Sequence, residues 1–300
     1  MKRVVFALSA VCLCAPMARP VAAQVPTVPP QVIWVFREDV KPARAQLHET
    51  VEQSYAQHWA KGGVKPYLAL DAISGNASEA MFVSSYPTWQ AFEDDLKAFN
   101  KASSGPEFVS LAKQEAELVN GVRGTVATYR EDLSYRGDRL MQQLPQARYV
   151  MMRTINVKPG HEENFADVQH EVIKTHAEAK IDEEWVMYQV TAGAPAGTYL
   201  FFQPIKSLKD VTALDDMHKK YLDGLSADLK ARRRQLAESG INFDQRDLYA
   251  FNPKESYVST EFAAASPEFW TTPKTAAVAK PAEKKGAEKL EAKKPEPRKP

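Results

Sequence analysis

The chain has 300 residues, 44% of them hydrophobic and 26% charged, with 39 basic against 38 acidic side chains. That composition supports a real core in one large domain or two modest ones. A net charge of +1 counts against a dedicated nucleic-acid binder, which carries a strong basic excess.

The balance is a sum over unlike parts. Met1-Lys2-Arg3, the apolar run Val4 to Ala15 and the small residues Val21-Ala22-Ala23 form a secretory signal pattern over residues 1–23. Cleavage is expected after Ala23, giving an exported protein, periplasmic or secreted. Pro16, Arg19 and Pro20 interrupt the stretch, which falls short of the roughly 20 apolar residues of a membrane span. The mature chain is therefore expected to carry no transmembrane segment. Cys12 and Cys14 sit near the depth of a lipid-attachment cysteine without a convincing lipobox, so lipoprotein and soluble export both stay open. Both lie inside the signal, which leaves the mature chain without disulfides, thiol nucleophiles or Cys-ligated metals.

Residues 24–30 form a Pro-rich exit segment, and residues 273–300 are built from Lys, Ala, Glu and Pro. Nine Lys/Arg against four Glu give that tail +5. It cannot bury enough apolar surface to offset ordering, so it is expected to be disordered. It reads either as a solvated extension or as a tether to an anionic envelope surface. With +3 in residues 1–23 (Lys2, Arg3, Arg19), the remainder, 24–272, carries −7. The folded part is acidic.

An internal repeat organises the middle of the chain. Val32–Glu38 starts the first copy and Tyr149–Asn156 the second, each followed by Val-Lys-Pro (Val40-Lys41-Pro42 and Val157-Lys158-Pro159). Further matches follow in order, with offsets that grow from 117 to 122 as small loop insertions accumulate. Each copy reads strand, helix, strand, strand, helix, helix, strand. Pro42 and Pro159 suit the first turns of the helices that follow. Gly75-Asn76 and Gly193 to Gly197 mark hairpin turns, and Thr88 and Ser207 suit N-caps. Gly105-Pro106 opens a further helix, Arg232 to Arg234 load a helix end, and Val122–Arg130 and Leu248–Asn252 supply the fourth strands. The expected organisation is unit one at 31–135, a linker at 136–147, unit two at 148–258 and an extension at 259–272.

A βαββαβ order is the ferredoxin-like arrangement, an α+β fold whose uncovered sheet face must pack on something. Two tandem units can pair those faces as an intramolecular pseudo-dimeric α/β barrel. The element order, the duplication and the Lys-Pro after the first strand resemble the dimeric α/β-barrel superfamily, which includes antibiotic-biosynthesis-type monooxygenases. The resemblance covers about residues 31–252. It implies, as one option, a cofactor-independent monooxygenase acting in the barrel interior.

Alternation along the strands splits their side chains into two sets. Ile33, Val35, Leu68, Leu70, Ala72, Met81 and Val83, with Val150, Met152, Val186, Tyr188, Val190, Leu200 and Phe202, are almost wholly apolar and are expected under the helices. The opposite set mixes large apolar groups with sparse polar ones, as ligand-binding interiors do. Its cavity candidates are Trp34, Phe36, Asp71, Ser84, Arg153, Gln189 and Gln203. Asp71 and Arg153 are its only charges, and they are expected to pair. These residues either line a ligand cavity or fill the contact between the units.

His58 and His176 align at offset 118 and read as core histidines on the inner faces of their helices. The chain has no HExxH, no i, i+4 pair of histidines, no GxSxG, no P-loop and no GxGxxG after a strand. No metal, cofactor or catalytic set is expected from the sequence. The first reading is an exported, non-catalytic protein that binds a small, partly apolar molecule or serves the envelope. The enzyme is the alternative.

Overall fold

The computed structural model describes residues 27–271, so the signal pattern and the basic tail lie outside the described residues. Unit one contains β1 (Val32–Val40), α1 (Ala45–Gly62), β2 (Tyr67–Ala72), β3 (Glu79–Tyr86), α2 (Trp89–Ala102), α3 (Pro106–Ala116) and β4 (Val119–Tyr129). After α4 (Gly137–Gln143), unit two repeats the order with β5 (Tyr149–Val157), α5 (Glu162–Glu178), β6 (Val186–Ala192), β7 (Thr198–Ile205), α6 (Val211–Gly224), α7 (Ala227–Gln235) and β8 (Ile241–Phe251). Two short helices, α8 (Thr260–Ala264) and α9 (Pro267–Trp270), close the described chain.

Local chemistry sets most of these boundaries. The Thr88 hydroxyl accepts the Ala91 N–H at 3.1 Å and starts α2, while Pro106 takes the first turn of α3, where its missing N–H costs nothing. Gly75 (φ 76°) and Gly193 (φ 90°) turn the two hairpins in left-handed backbone. A Cβ at Gly193 would also collide with the backbone of Gly124. Pro42 and Pro159 stand earlier than expected, in turns just ahead of α1 and α5. There the Arg44 N–H bonds the Lys41 carbonyl at 3.1 Å and the His161 N–H bonds the Lys158 carbonyl at 3.0 Å. Strand β8 begins at Ile241 rather than Leu248, because its polar first half completes a ladder with β5.

The strands close into a barrel in the order β1-β3-β2-β8-β5-β7-β6-β4. Each unit supplies one four-stranded antiparallel sheet, and the sheets join edge to edge through the β2–β8 and β4–β6 pairs. Closure removes the open edges that two separate sheets would present. This is the expected α+β architecture, two ferredoxin-like units forming one pseudo-dimeric barrel.

The two strand faces are reversed relative to the sequence expectation. Ile33, Val35, Leu70 and Met81 of unit one pack with Val150, Met152, Val186, Tyr188 and Leu200 of unit two in a single cluster inside the barrel. The mixed set, including Trp34, Phe36, Ala69 and Phe82, faces the helices instead. The alternation is right but its direction is not. A closed barrel seals its interior on all sides, so it takes the most apolar set, whereas a layer under amphipathic helices tolerates polar edges.

One end of the interior is polar. Arg37 Nε lies 3.3 Å from Glu79 Oε1, which also accepts the Tyr249 hydroxyl at 2.7 Å. The other end is covered by α4, α8 and α9, whose Leu140, Met141, Phe262 and Trp270 join the interior cluster. Trp270 Nε1 donates to the Pro145 carbonyl at 2.6 Å and ties the extension to the linker. Beneath this cover lies an apolar cavity of about 260 Å³ lined by Leu70, Met81, Val150, Tyr188 and Phe251.

Candidate functional site

The principal cavity lies between the sheet and the helices of unit two. Its origin is visible in the repeat. Helix α1 buries His48, Val51 and Trp59, and α5 buries Phe165, Val168 and His176, all at an offset of 117. A helix cannot absorb an extra residue without turning its buried face, so His176 is the counterpart of Trp59 and not of His58.

In unit one the space under the helices is filled with rings. Trp59 stacks on Phe99 at 4.6 Å and meets Phe108 at 5.5 Å, while Trp34 contacts Phe92 and Phe99 at 6.1 and 6.0 Å. In unit two, Trp34, Phe36 and Trp59 are replaced by Met151, Arg153 and His176. The same space becomes a cavity of about 710 Å³ bounded by β5, β7, β8 and helices α5 to α7.

Its walls are aromatic and aliphatic at the back, with Ile155, Phe165, Trp185, Phe201 and Tyr221, and basic at the mouth. Arg153 Nε donates to Asp244 at 2.6 Å, so that arginine is neutralised. Arg233 lies over the Tyr221 ring at 5.2 Å, and Arg246 also lines the mouth. Among the described residues, no carboxylate lies within ion-pair distance of either. Partial burial and the charges of Arg153 and Arg233 hold Arg246 below the usual arginine range. Partial burial, then Arg233 and Arg246, hold His218 below its ordinary value of 6.5. Lys230 and Arg234 also line the cavity, against the carboxylates Glu183, Asp215, Asp223 and Asp244, so basic groups outnumber acidic ones by one.

His176 is buried, as the sequence suggests, and it accounts for itself locally. Nδ1 donates to the Val172 carbonyl at 2.8 Å, and Nε2 lies 3.5 Å from Glu183. It nevertheless lines the cavity. His58 bonds the Ala102 carbonyl through Nε2 at 3.0 Å and belongs to the packed side of unit one.

The seven cavity candidates divide between the units. Arg153 and Gln203 line the cavity. Gln189 accepts from Arg130 Nη1 at 2.7 Å and does not line the cavity. Trp34 and Phe36 are packed among the rings of unit one, and Ser84 shares their face beside Trp34 on β1. Asp71 is exposed and accepts from Asn252 Nδ2 at 3.0 Å. It does not pair with Arg153. Strand β8 stands between β2 and β5, and through it Asp71 lies level with Tyr149, four residues from Arg153 along β5.

Sequence reasoning missed His218, Arg233 and Arg246 as site residues; Arg233 entered it only within the run that loads a helix end. Only the register that brings β8 under α7 unites them. It also missed Asp95, on α2, as a buried group. Asp95 is buried, accepting the Tyr86 hydroxyl at 2.8 Å and the Lys65 N–H at 2.7 Å.

A second polar concentration sits under α1. Glu38, His48, Glu52 and Glu115 each bring one donor atom within 4.8 Å of the others. The sequence reading expects no metal because it looked for paired histidines. The one available signal was His48 with Glu52 at i, i+4 on the buried face of α1.

No family model and no curated protein matches the sequence. Solved structures do. A candidate monooxygenase from Fusobacterium nucleatum superposes with a TM-score of 0.46 at 12% identity, covering 74% of this chain and 93% of that one. An anthrone oxidase-like protein gives 0.46 at 8% identity, covering 75% and 93%. A chlorite dismutase variant from Candidatus Nitrospira defluvii gives 0.41 at 14% identity, covering 75% and 92%. The likeness is one of fold. Activity has to be argued from this chain's own cavity.

Proposed function

We propose that the protein binds a small organic anion, aromatic or partly apolar in its body, in the cavity of unit two. The observation that carries this reading is the pair Arg233 and Arg246, which face a roomy, ring-lined space without a carboxylate partner among the described residues. Arg246 and His218, held below their ordinary values by burial and neighbouring positive charge, gain from an anion placed beside them. The volume of about 710 Å³ falls within the usual range for small-molecule sites, on the order of 300–1,000 Å³. An apolar back wall with a few polar groups at the mouth is how such sites fix orientation.

In this reading the protein acts outside the cytoplasm after cleavage at Ala23, as a binding protein. Intact-mass measurement of protein from its own envelope fraction is then expected to give a chain beginning at Gln24. A chain still carrying residues 1–23 would overturn that part.

Binding is tested by titrating the protein with 1-naphthoate, an aromatic carboxylate that matches the cavity. Saturable one-to-one binding is expected, at least tenfold weaker in the Arg233→Met/Arg246→Met double variant. Equal affinity in the two proteins would refute the reading. Oxygen consumption by the protein with a bound phenolic probe would make the cavity an active site, on the helix side of the sheet rather than in the barrel interior.

A further inference from the structure

We propose that Glu38, His48 Nε2, Glu52 and Glu115 bind one divalent first-row transition-metal ion under α1 of unit one. Strand β1 supplies Glu38, helix α1 supplies His48 and Glu52 one turn apart, and the end of α3 supplies Glu115. Nε2 of His48 lies 2.7 Å from Glu38 Oε2 and 3.4 Å from Glu115 Oε1. On the other side of the ring, Nδ1 lies 3.7 Å from Oε1 of Glu255, in the loop after β8. A carboxylate behind the imidazole is the usual device for fixing a metal-binding histidine so that its free nitrogen faces the ion.

The polar atoms of this cluster are under-partnered. Glu255 is only 2% exposed, yet its Oε2 has no hydrogen-bond partner, and both oxygens of the buried Glu115 lack one as well. Buried oxygens without partners are expensive, and natural proteins rarely leave them so. Four carboxylates surround a single imidazole, and among the described residues no Lys or Arg comes within ion-pair distance of any of them. A divalent cation supplies the missing charge and the partners that the Glu115 oxygens lack.

The fold itself does not require the cluster. At the repeat offset of 117, unit two places Ile155, Phe165 and Gln169 where unit one has Glu38, His48 and Glu52. Ile155 and Phe165 form ordinary apolar core there. Three carboxylates with one imidazole suit Mn²⁺, Fe²⁺ or Zn²⁺ better than Ca²⁺ or Mg²⁺, which favour all-oxygen sets. The rival arrangement fills the space with shared protons, and burial beside Glu38 and Glu115 does push Glu52 well above the carboxylate range when no cation is present.

The test is titration of the intact, chelator-treated protein with Mn²⁺ and with Zn²⁺, followed by calorimetry and melting temperature. One ion per chain and a raised melting temperature are expected, since a ligand of the native state stabilises it. Glu52→Gln and Glu115→Gln are expected to weaken binding at least tenfold, and anomalous diffraction should place the ion at His48. Wild-type protein that is folded and binds neither ion at millimolar concentration would overturn the proposal, as would unchanged affinity in both Gln variants or an anomalous peak elsewhere. Naphthoate binding in unit two is read separately, so the two sites stand or fall independently.

Discussion

Trp59 and His176 occupy the same place in the two units, each fourteen residues past the first residue of its helix, and their difference makes one unit solid and the other hollow. Trp59 stacks on Phe99 at 4.6 Å, whereas His176 leaves open a cavity of about 710 Å³. Trp59→Ala should therefore cost about 3–5 kcal/mol, the usual loss for a large buried ring. Met151→Ala, at the already open wall of unit two, should cost far less. Urea unfolding of both variants checks the contrast, and similar losses would show that the two layers are equally packed.

Filling the cavity is the converse experiment. Met151 is the counterpart of Trp34 on β1, and Met151→Trp would put a unit-one ring into the unit-two space. Binding of 1-naphthoate should fall at least tenfold while the melting temperature changes little, because the ring enters empty volume rather than displacing packed atoms. Retained binding in the Trp variant would move the ligand site elsewhere.

His218 reports on the charge at the mouth. Partial burial, Arg233 and Arg246 all oppose its protonation, so its NMR titration midpoint should lie below 6.5 in the free protein. The unfolded chain then takes up this proton more readily than the native one. Any stability the residue contributes is present at neutral pH and is lost as pH falls through 6.5 and below. A bound carboxylate reverses the local field, raises the midpoint and makes naphthoate binding tighten between pH 7 and pH 5. A midpoint at or above the ordinary value would remove the electropositive mouth from the argument.

The repeat was legible in sequence because strand alternation and the Val-Lys-Pro turns survive divergence, and these alone lead to a closed barrel of two units. The partition of strand residues into two sets was equally legible. Which set faces inward was not, since Ile33 and Trp34 are both apolar and only closure of the sheet decides which is sealed. The sequence put Arg153 and Gln203 on a cavity face but could not confine the cavity to unit two, because it is defined by what Met151, Arg153 and His176 fail to fill. The Glu38–His48 cluster draws on β1, α1 and α3, and no linear spacing joins donors brought together from three elements.

The polar end of the barrel allows a sharper test of the interior. Arg37 and Glu79 are 8% and 5% exposed, and their side chains meet at 3.3 Å with the Tyr249 hydroxyl on the same carboxylate oxygen. Glu79→Gln preserves shape and can still accept from Tyr249, but it leaves the Arg37 guanidinium buried without a counter-charge. The expected loss is about 3–5 kcal/mol, since removing one partner of a buried pair strands the other. The Arg37→Met/Glu79→Gln double variant should recover much of that loss, because the stranded charge goes with it. Unit two holds the corresponding end with neutral groups, Asn156 Nδ2 donating to Thr198 Oγ1 at 2.9 Å, so the barrel does not need an ion pair to close. A double-mutant cycle by urea unfolding decides the matter. Strictly additive losses would mean that Arg37 is stabilised by contacts other than Glu79, among them its 3.6 Å approach to Met152 Sδ.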